Sequence, residues 1–327
     1  MTTEGEAFAS AATRLRYVDV PAPRVGEIRA VAPGVRWTRI PLPIDLNHIN
    51  VWLLDTPDGC VVIDTGMSAD TARAAWKALE AAHLVDRPLR AILITHVHPD
   101  HIGLAGWLQR RHGAPVLMSR RTHELALAWL DDEPRCAREA EAFFRAHGVT
   151  DGESLRPMSG ARRFDHLASG MPHVERFVAD DEVLPFLGGT WRALETGGHA
   201  EGHLCLFQPA TRVLISGDQV LPGISPNIGL TWRNDDGNPL GTYLESLERL
   251  AALDDDTLVL PSHGMPFYGL RQRADDLRRH HHEQLAALAQ ACAEPKTAAE
   301  TLPVLFPREL KGLHLFLALT EAVAHLE

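Results

Sequence analysis

Thr95-His96-Val97-His98-Pro99-Asp100-His101 places four potential metal ligands within six residues. Alternate residues of an extended segment share one side, so His96 and His98 can point the same way. Asp100 and His101 follow where the chain turns into a helix. Neutral imidazoles and a carboxylate suit zinc, iron or manganese; a merely solvated polar loop is the alternative reading. Three later segments strengthen the metal reading. Thr190-Trp-Arg-Ala-Leu-Glu-Thr runs into Gly197-Gly198-His199, Arg212-Val-Leu-Ile-Ser into Gly217-Asp218, and Thr257-Leu-Val-Leu-Pro-Ser into His263-Gly264. Each sets a His or Asp directly after an apolar, strand-like run. Ligands at the ends of four separate strands are what a site on the edge of a sheet requires.

Positioning these groups takes an α/β framework. Val35–Ile40, Ile49–Leu54 and Cys60–Ile63 read as strands, the last two joined by the turn Thr56-Pro-Asp-Gly59. A helix is expected from Ala69 to about Leu84, then a buried strand over Leu89–Ile94 leading into the His-rich segment. A helix from Ile102 to His112 is stopped by Gly113, and Ala114–Met118 is the next strand. Residues 120–180 break this rhythm. His123–Leu130 and Arg135–His147 read as helices and the stretch to Ala179 as irregular, so the whole reads as an insertion over one end of the sheet. Strands resume at Glu182–Leu187, Thr190–Glu195, Leu204–Phe207, Arg212–Ser216 and Thr257–Leu260, with helix Leu240–Leu253 before the last. Beyond Arg271 the pattern is helical, with a capping box at Thr297-Ala-Ala-Glu300.

The order HxHxDH, GGHxxGH, SGD and PSHG resembles the metallo-β-lactamase superfamily, in particular glyoxalase II and its relatives. The resemblance covers roughly residues 35–270 and implies an αββα sandwich there; the polar, Pro/Gly-punctuated residues 1–34 read as an ordered arm or a loose leader, and residues 271–327 as a helical extension. It implies that His96, His98 and His199 hold one divalent metal ion, that Asp100, His101 and His263 hold a second, and that Asp218 bridges them. Zinc is the expected metal, with iron or manganese as alternatives. A hydroxide between the two ions would be the nucleophile, since coordination lowers the pKa of water to about 7. Asp100 is the expected catalytic residue, steering that water or accepting its proton. Asp64 and His203 resemble residues that brace the ligands from behind.

Two departures from relatives narrow the reaction. The true β-lactamases of this fold lack the bridging aspartate. The acyl-homoserine lactonases carry a tyrosine shortly after it, where this chain has Gln219-Val-Leu-Pro222. The expected substrate is a small acyl molecule, a carboxylic thioester, lactone or ester, with a metal-dependent (ribo)nuclease or a mono-iron sulfur dioxygenase as the alternatives. Trp52, Trp232 and Phe267 are expected to line an acyl pocket with the 120–180 insertion, and Arg233 to meet an anionic group. His280-His-His282 reads as a solvated helix face.

Composition limits the partners. A net charge of −11 and only three lysines oppose a sequence-independent grip on nucleic acid. The four cysteines form no CxxC pair, so no disulfide framework is expected. No apolar run approaches the ~20 residues that span a bilayer, and the opening Met1-Thr-Thr-Glu-Gly-Glu-Ala is not a secretory leader, which leads to the expectation of a cytoplasmic protein. The terminal helices are expected to close the core or to form a homodimer interface.

Overall fold

The computed structural model describes residues 15–130, 134–151 and 168–327. Two seven-stranded sheets face each other. The first runs in the order β2 (Arg29–Ala32), β3 (Val35–Pro41), β4 (His48–Thr56), β5 (Gly59–Ile63), β6 (Leu89–Leu93), β7 (Val116–Met118) and β8 (Val174–Phe177). The second runs β1 (Arg16–Tyr17), β14 (Phe267–Tyr268), β13 (Leu258–Pro261), β12 (Val213–Gly217), β11 (His203–Gln208), β10 (Trp191–Thr196) and β9 (Val183–Leu184).

Side-chain alternation explains the layering. Along β4, Trp52 and Leu54 enter the core between the sheets with Trp37, Trp191, Leu206 and Ile215. Val51 and Leu53 point the other way, onto α1 (Asp70–Leu79) through Trp76 and Leu79, and onto α3 (Ala105–His112) through Leu108. The outer face of the second sheet is covered by α6 (Pro239–Ala251) and α7 (Leu270–Ala291), where Tyr243, Leu247 and Leu277 pack on Leu194, Leu214 and Val259. Both faces of each sheet are therefore buried, which is the expected αββα sandwich.

The insertion contains α4 (Arg120–Leu130) and α5 (Pro134–Ala146); its residues 131–133 and 152–167 lie outside the described residues. Phe144 of α5 shares a fourth core with α7, α8 (Ala298–Leu305) and α9 (Leu313–Leu326), through Leu288, Leu305, Leu319 and Val323. Helix α5 and the terminal helices thus share one core, tied also by Ala299 N donating to His147 O at 3.0 Å. The capping box at Thr297 and Glu300 and the left-handed Gly113 closing α3 are present as expected.

Three local expectations change. The arm is woven into the sandwich from Arg16 onward: β1 pairs with β14 and β2 with β3, while residues 1–14 lie outside the described residues. The helix expected from Ile102 is split into α2 (Pro99–Ile102) and α3, because Leu104 N donates to Gly66 O (3.0 Å) and Thr65 Oγ1 (3.1 Å) across the break. The stretch read as irregular before Ala179 contains β8, a short parallel edge strand whose pairing partner β7 lies far away in sequence. No helix among the described residues is long and apolar enough to cross a membrane.

Candidate metal centre

All seven ligand candidates sit where strands end. β6 leads into His96 and His98, β10 into His199, β12 into Asp218 and β13 into His263, while α2, capped by His98, carries Asp100 and His101. Glycine makes two of these turns possible. Gly198 has φ 94°, and a Cβ there would lie 2.3 Å from the Tyr243 Cβ. Gly217 has φ 54°, and a Cβ there would lie 2.4 Å from His203 Nε2.

The side chains converge in two groups: His96, His98 and His199, and Asp100, His101, Asp218 and His263. In the first, His96 Nε2 is 3.0 Å from His98 Nδ1 and 3.3 Å from His199 Nε2. In the second, His263 Nε2 is 3.2 Å and His101 Nε2 3.6 Å from Asp100 Oδ2. Asp218 Oδ2 belongs to both, at 3.5 Å from His101 Nε2, 3.6 Å from His263 Nε2 and 3.6 Å from His199 Nε2. Ligand atoms about 2 Å from a tetrahedral ion stand roughly 3.3 Å apart, and these separations of 3.0–3.6 Å fit that spacing. His101 Nε2, His263 Nε2 and Asp218 Oδ1 are also buried without a hydrogen-bond partner. Buried polar atoms left unpaired cost about 1–3 kcal/mol each, and a bound cation removes that penalty for a lone pair.

The electrostatics divide the site. In the three-histidine group burial is the main force, joined by neighbouring imidazoles, and it holds His98 down to about 3 and His96 well below the usual imidazole value. These rings are neutral and present lone pairs. In the second group burial is outweighed by carboxylates: Asp218 and Asp100 push His263 up to about 10, and Asp64, Asp100 and Asp218 hold His101 well above its ordinary value. Burial likewise opposes ionisation of Asp100, yet His101 and His263 bring it down to about 2. The two aspartates thus stay charged in a buried site.

A second set of contacts aims the ligands. Asp64 Oδ2 accepts from His101 Nδ1 (2.8 Å) and Thr95 Oγ1 (2.8 Å), while Asp64 Oδ1 accepts from Thr95 N (2.8 Å). His203 Nε2 accepts from Asp218 N (3.2 Å), which places its own ring proton on Nδ1 beside Thr196 Oγ1. His199 Nδ1 donates to Asn227 O and His263 Nδ1 to His48 O, each at 2.9 Å. Asn227 and His48 act through backbone carbonyls, which every residue has, so no side-chain motif marks them. Asn50 steadies the His263 turn by donating to Pro261 O (2.8 Å) and Gly264 O (2.9 Å).

The expected pocket needs correcting. Trp52 is 1% exposed and stacks on Trp37 with ring centroids 5.8 Å apart, inside the inter-sheet core. Phe267 is fully buried between the second sheet and its covering helices. Both lie within strands buried on two faces, whereas the metal cluster lies beyond strand ends. Trp52→Ala should therefore destabilise the protein by about 3–5 kcal/mol in denaturant melts and leave KM unchanged; an altered KM at unchanged stability would return Trp52 to the pocket. Trp232 packs against Trp129, Phe143 and Phe144, and the Arg233 guanidinium lies 4.9 Å over Trp129 while donating to Ala128 O. They join the insertion to the segment that carries Asn227. Of the three consecutive histidines only part of the run is solvated: His282 is exposed, but His281 is fully buried, 3.0 Å from His325 Nε2.

Comparison with known proteins agrees with this arrangement. Residues 44–263 match the family model of the metallo-β-lactamase superfamily, and residues 285–327 match the metallo-β-lactamase-like C-terminal domain. A beta-lactamase domain protein of Burkholderia ambifaria, known from its crystal structure, is 37% identical with a TM-score of 0.86, over 95% of this chain and 91% of its own. The Bacillus subtilis (strain 168) protein named "Probable metallo-hydrolase YqjP" is 26% identical over 88% of this chain and 90% of its own. An atrochrysone carboxyl ACP thioesterase of Aspergillus fumigatus is 25% identical over 88% of this chain and 71% of its own. With the family model spanning most of the chain and the sandwich in place, and with a His/Asp cluster that fits a divalent metal site, the protein belongs to the metallo-β-lactamase superfamily.

Proposed function

We propose that the protein hydrolyses a small acyl thioester at a centre of two zinc ions, with Asp100 as the residue that handles the proton of the attacking water. The observation that carries this reading is the position of Asp218 Oδ2, within 3.6 Å of His101, His199 and His263, where one carboxylate serves both ligand groups. Bound divalent ions supply Lewis acidity for the substrate carbonyl and lower the pKa of water to about 7. The chain's own residues do the rest. Asp218 joins the two ligand groups, and the His203 ring fixes its backbone. Asp100 keeps its charge beside His263 and offers a carboxylate oxygen to accept a proton. The thioesterase relative favours a thioester over a lactone or simple ester.

The test combines elemental analysis of freshly purified protein with a panel of acyl thioesters, lactones and single-stranded RNA. About two zincs per chain with thioester turnover is the expected result. RNA cleavage without ester turnover would move the protein to the nucleases, and one iron per chain with oxygen uptake would move it to sulfur oxidation.

A further inference from the structure

The C-terminal helix α9 reaches the metal centre through one residue. His199 Nδ1 donates to Asn227 O, and the Asn227 side chain is itself held: its Nδ2 donates to Glu321 Oε2 at 2.7 Å and to Leu317 O at 3.1 Å. The segment after Asn227 lies flat on the same helix. Leu230 N donates to Thr320 O at 3.0 Å, and a Cβ on Gly229 would stand only 2.7 Å from Thr320 Oγ1. Glu321 is 7% exposed. Among the described residues its carboxylate pairs with no cation; its hydrogen-bond partner is the Asn227 amide. A long polar side chain is seldom buried without a task, because its desolvation must be offset by a well-made hydrogen bond.

We propose that Glu321 is a positioning residue, which sets the imidazole of His199 through Asn227 and thereby the metal affinity of the His96–His98–His199 group. The inference rests on the metal-centre reading above. It makes the terminal helix part of the site's construction: a carboxylate on α9 fixes an amide, the same residue's backbone carbonyl fixes a ring proton, and the ring's other nitrogen would be the one to hold an ion. Partners of this kind behind a ligating histidine typically alter metal affinity 10- to 100-fold.

The experiment is zinc titration of chelator-stripped full-length protein, with affinities from competition against a chromophoric chelator. Glu321→Ala should weaken one of the two zinc sites by about 10- to 100-fold and leave the other within a few-fold. Burial pushes the Glu321 carboxyl up to about 7 against the opposing Asn227 hydrogen bond, so a neutral amide is a close replacement. Glu321→Gln, which keeps an oxygen for Asn227, should restore most of the loss. Asn227→Ala retains the backbone carbonyl and loses only the anchor, so it should reproduce the weakening even where Glu321→Ala folds poorly. Val323→Ala, a buried change on the same helix away from these contacts, should leave both sites unchanged. Wild-type affinity in both Glu321→Ala and Asn227→Ala, or equal weakening by Val323→Ala, would overturn the proposal alone. A wild-type protein that binds no zinc would overturn the metal centre itself.

Discussion

Asp218→Ala should bind no more than one metal ion per chain and lose at least about 10³-fold in turnover, equivalent to about 4 kcal/mol of transition-state stabilisation. The magnitude follows from the shared position of the carboxylate. Its Oδ2 lies 3.5–3.6 Å from ring nitrogens of His101, His199 and His263, so the substitution removes a ligand from both groups at once. It also removes a negative charge that stabilises buried cations. Burial works against the charge on His263, and Asp218 is first among the groups that overcome it. Elemental analysis and single-turnover rates on the variant check this directly. Full metal content with unchanged turnover would end the dinuclear reading. His282→Ala, an exposed change on α7, is the matched control and should alter neither quantity.

The second large effect is expected at Asp64, which touches no metal. Its carboxylate accepts from Thr95 N, Thr95 Oγ1 and His101 Nδ1, all at 2.8 Å. Asp64→Ala removes the shared acceptor of three buried donors and should destabilise the protein by about 3–5 kcal/mol. Part of this loss is conformational, since Asp64 has φ 64°, a region where Asp and Asn are tolerated better than alanine. Metal affinity should fall by about 10- to 100-fold, because the His101 ring loses the contact that aims it. Asp64→Asn separates the two effects: it keeps the backbone preference and one acceptor oxygen, and should recover stability more fully than metal binding. Urea melts of metal-free protein and zinc titration measure the two quantities independently. An Asp64→Ala protein with the wild-type melting midpoint and wild-type zinc affinity would remove Asp64 from the support of the site.

Several elements were legible because their signals are local. The β4–β5 hairpin follows from Thr56-Pro-Asp-Gly59 between apolar runs, and the end of α3 from Gly113. The metal cluster was legible for a chemical reason: ions are held by few side-chain types, and here they follow strand-like runs that end at one edge of the sandwich. The misreadings share the opposite property. Trp52 and Phe267 looked like pocket residues because an aromatic side chain carries no mark of which face of a buried strand it occupies. β8 is four residues long and is defined by pairing with β7, more than fifty residues earlier. His281 reads as solvated from sequence because the partner that buries it, His325, is brought against it only by the packing of helix α9.

The sequence by itself therefore determined the sandwich, its strand ends and which His and Asp side chains gather in the candidate metal cluster, since hydrophobic periodicity, turn chemistry and coordination chemistry are properties of residue type and spacing. Tertiary structure alone decided what stands behind those ligands. The carbonyls of Asn227 and His48 that orient His199 and His263 belong to the backbone, and Glu321 meets Asn227 across 94 residues of chain. Such contacts depend on which surfaces the packed helices bring together, and residue spacing does not encode them.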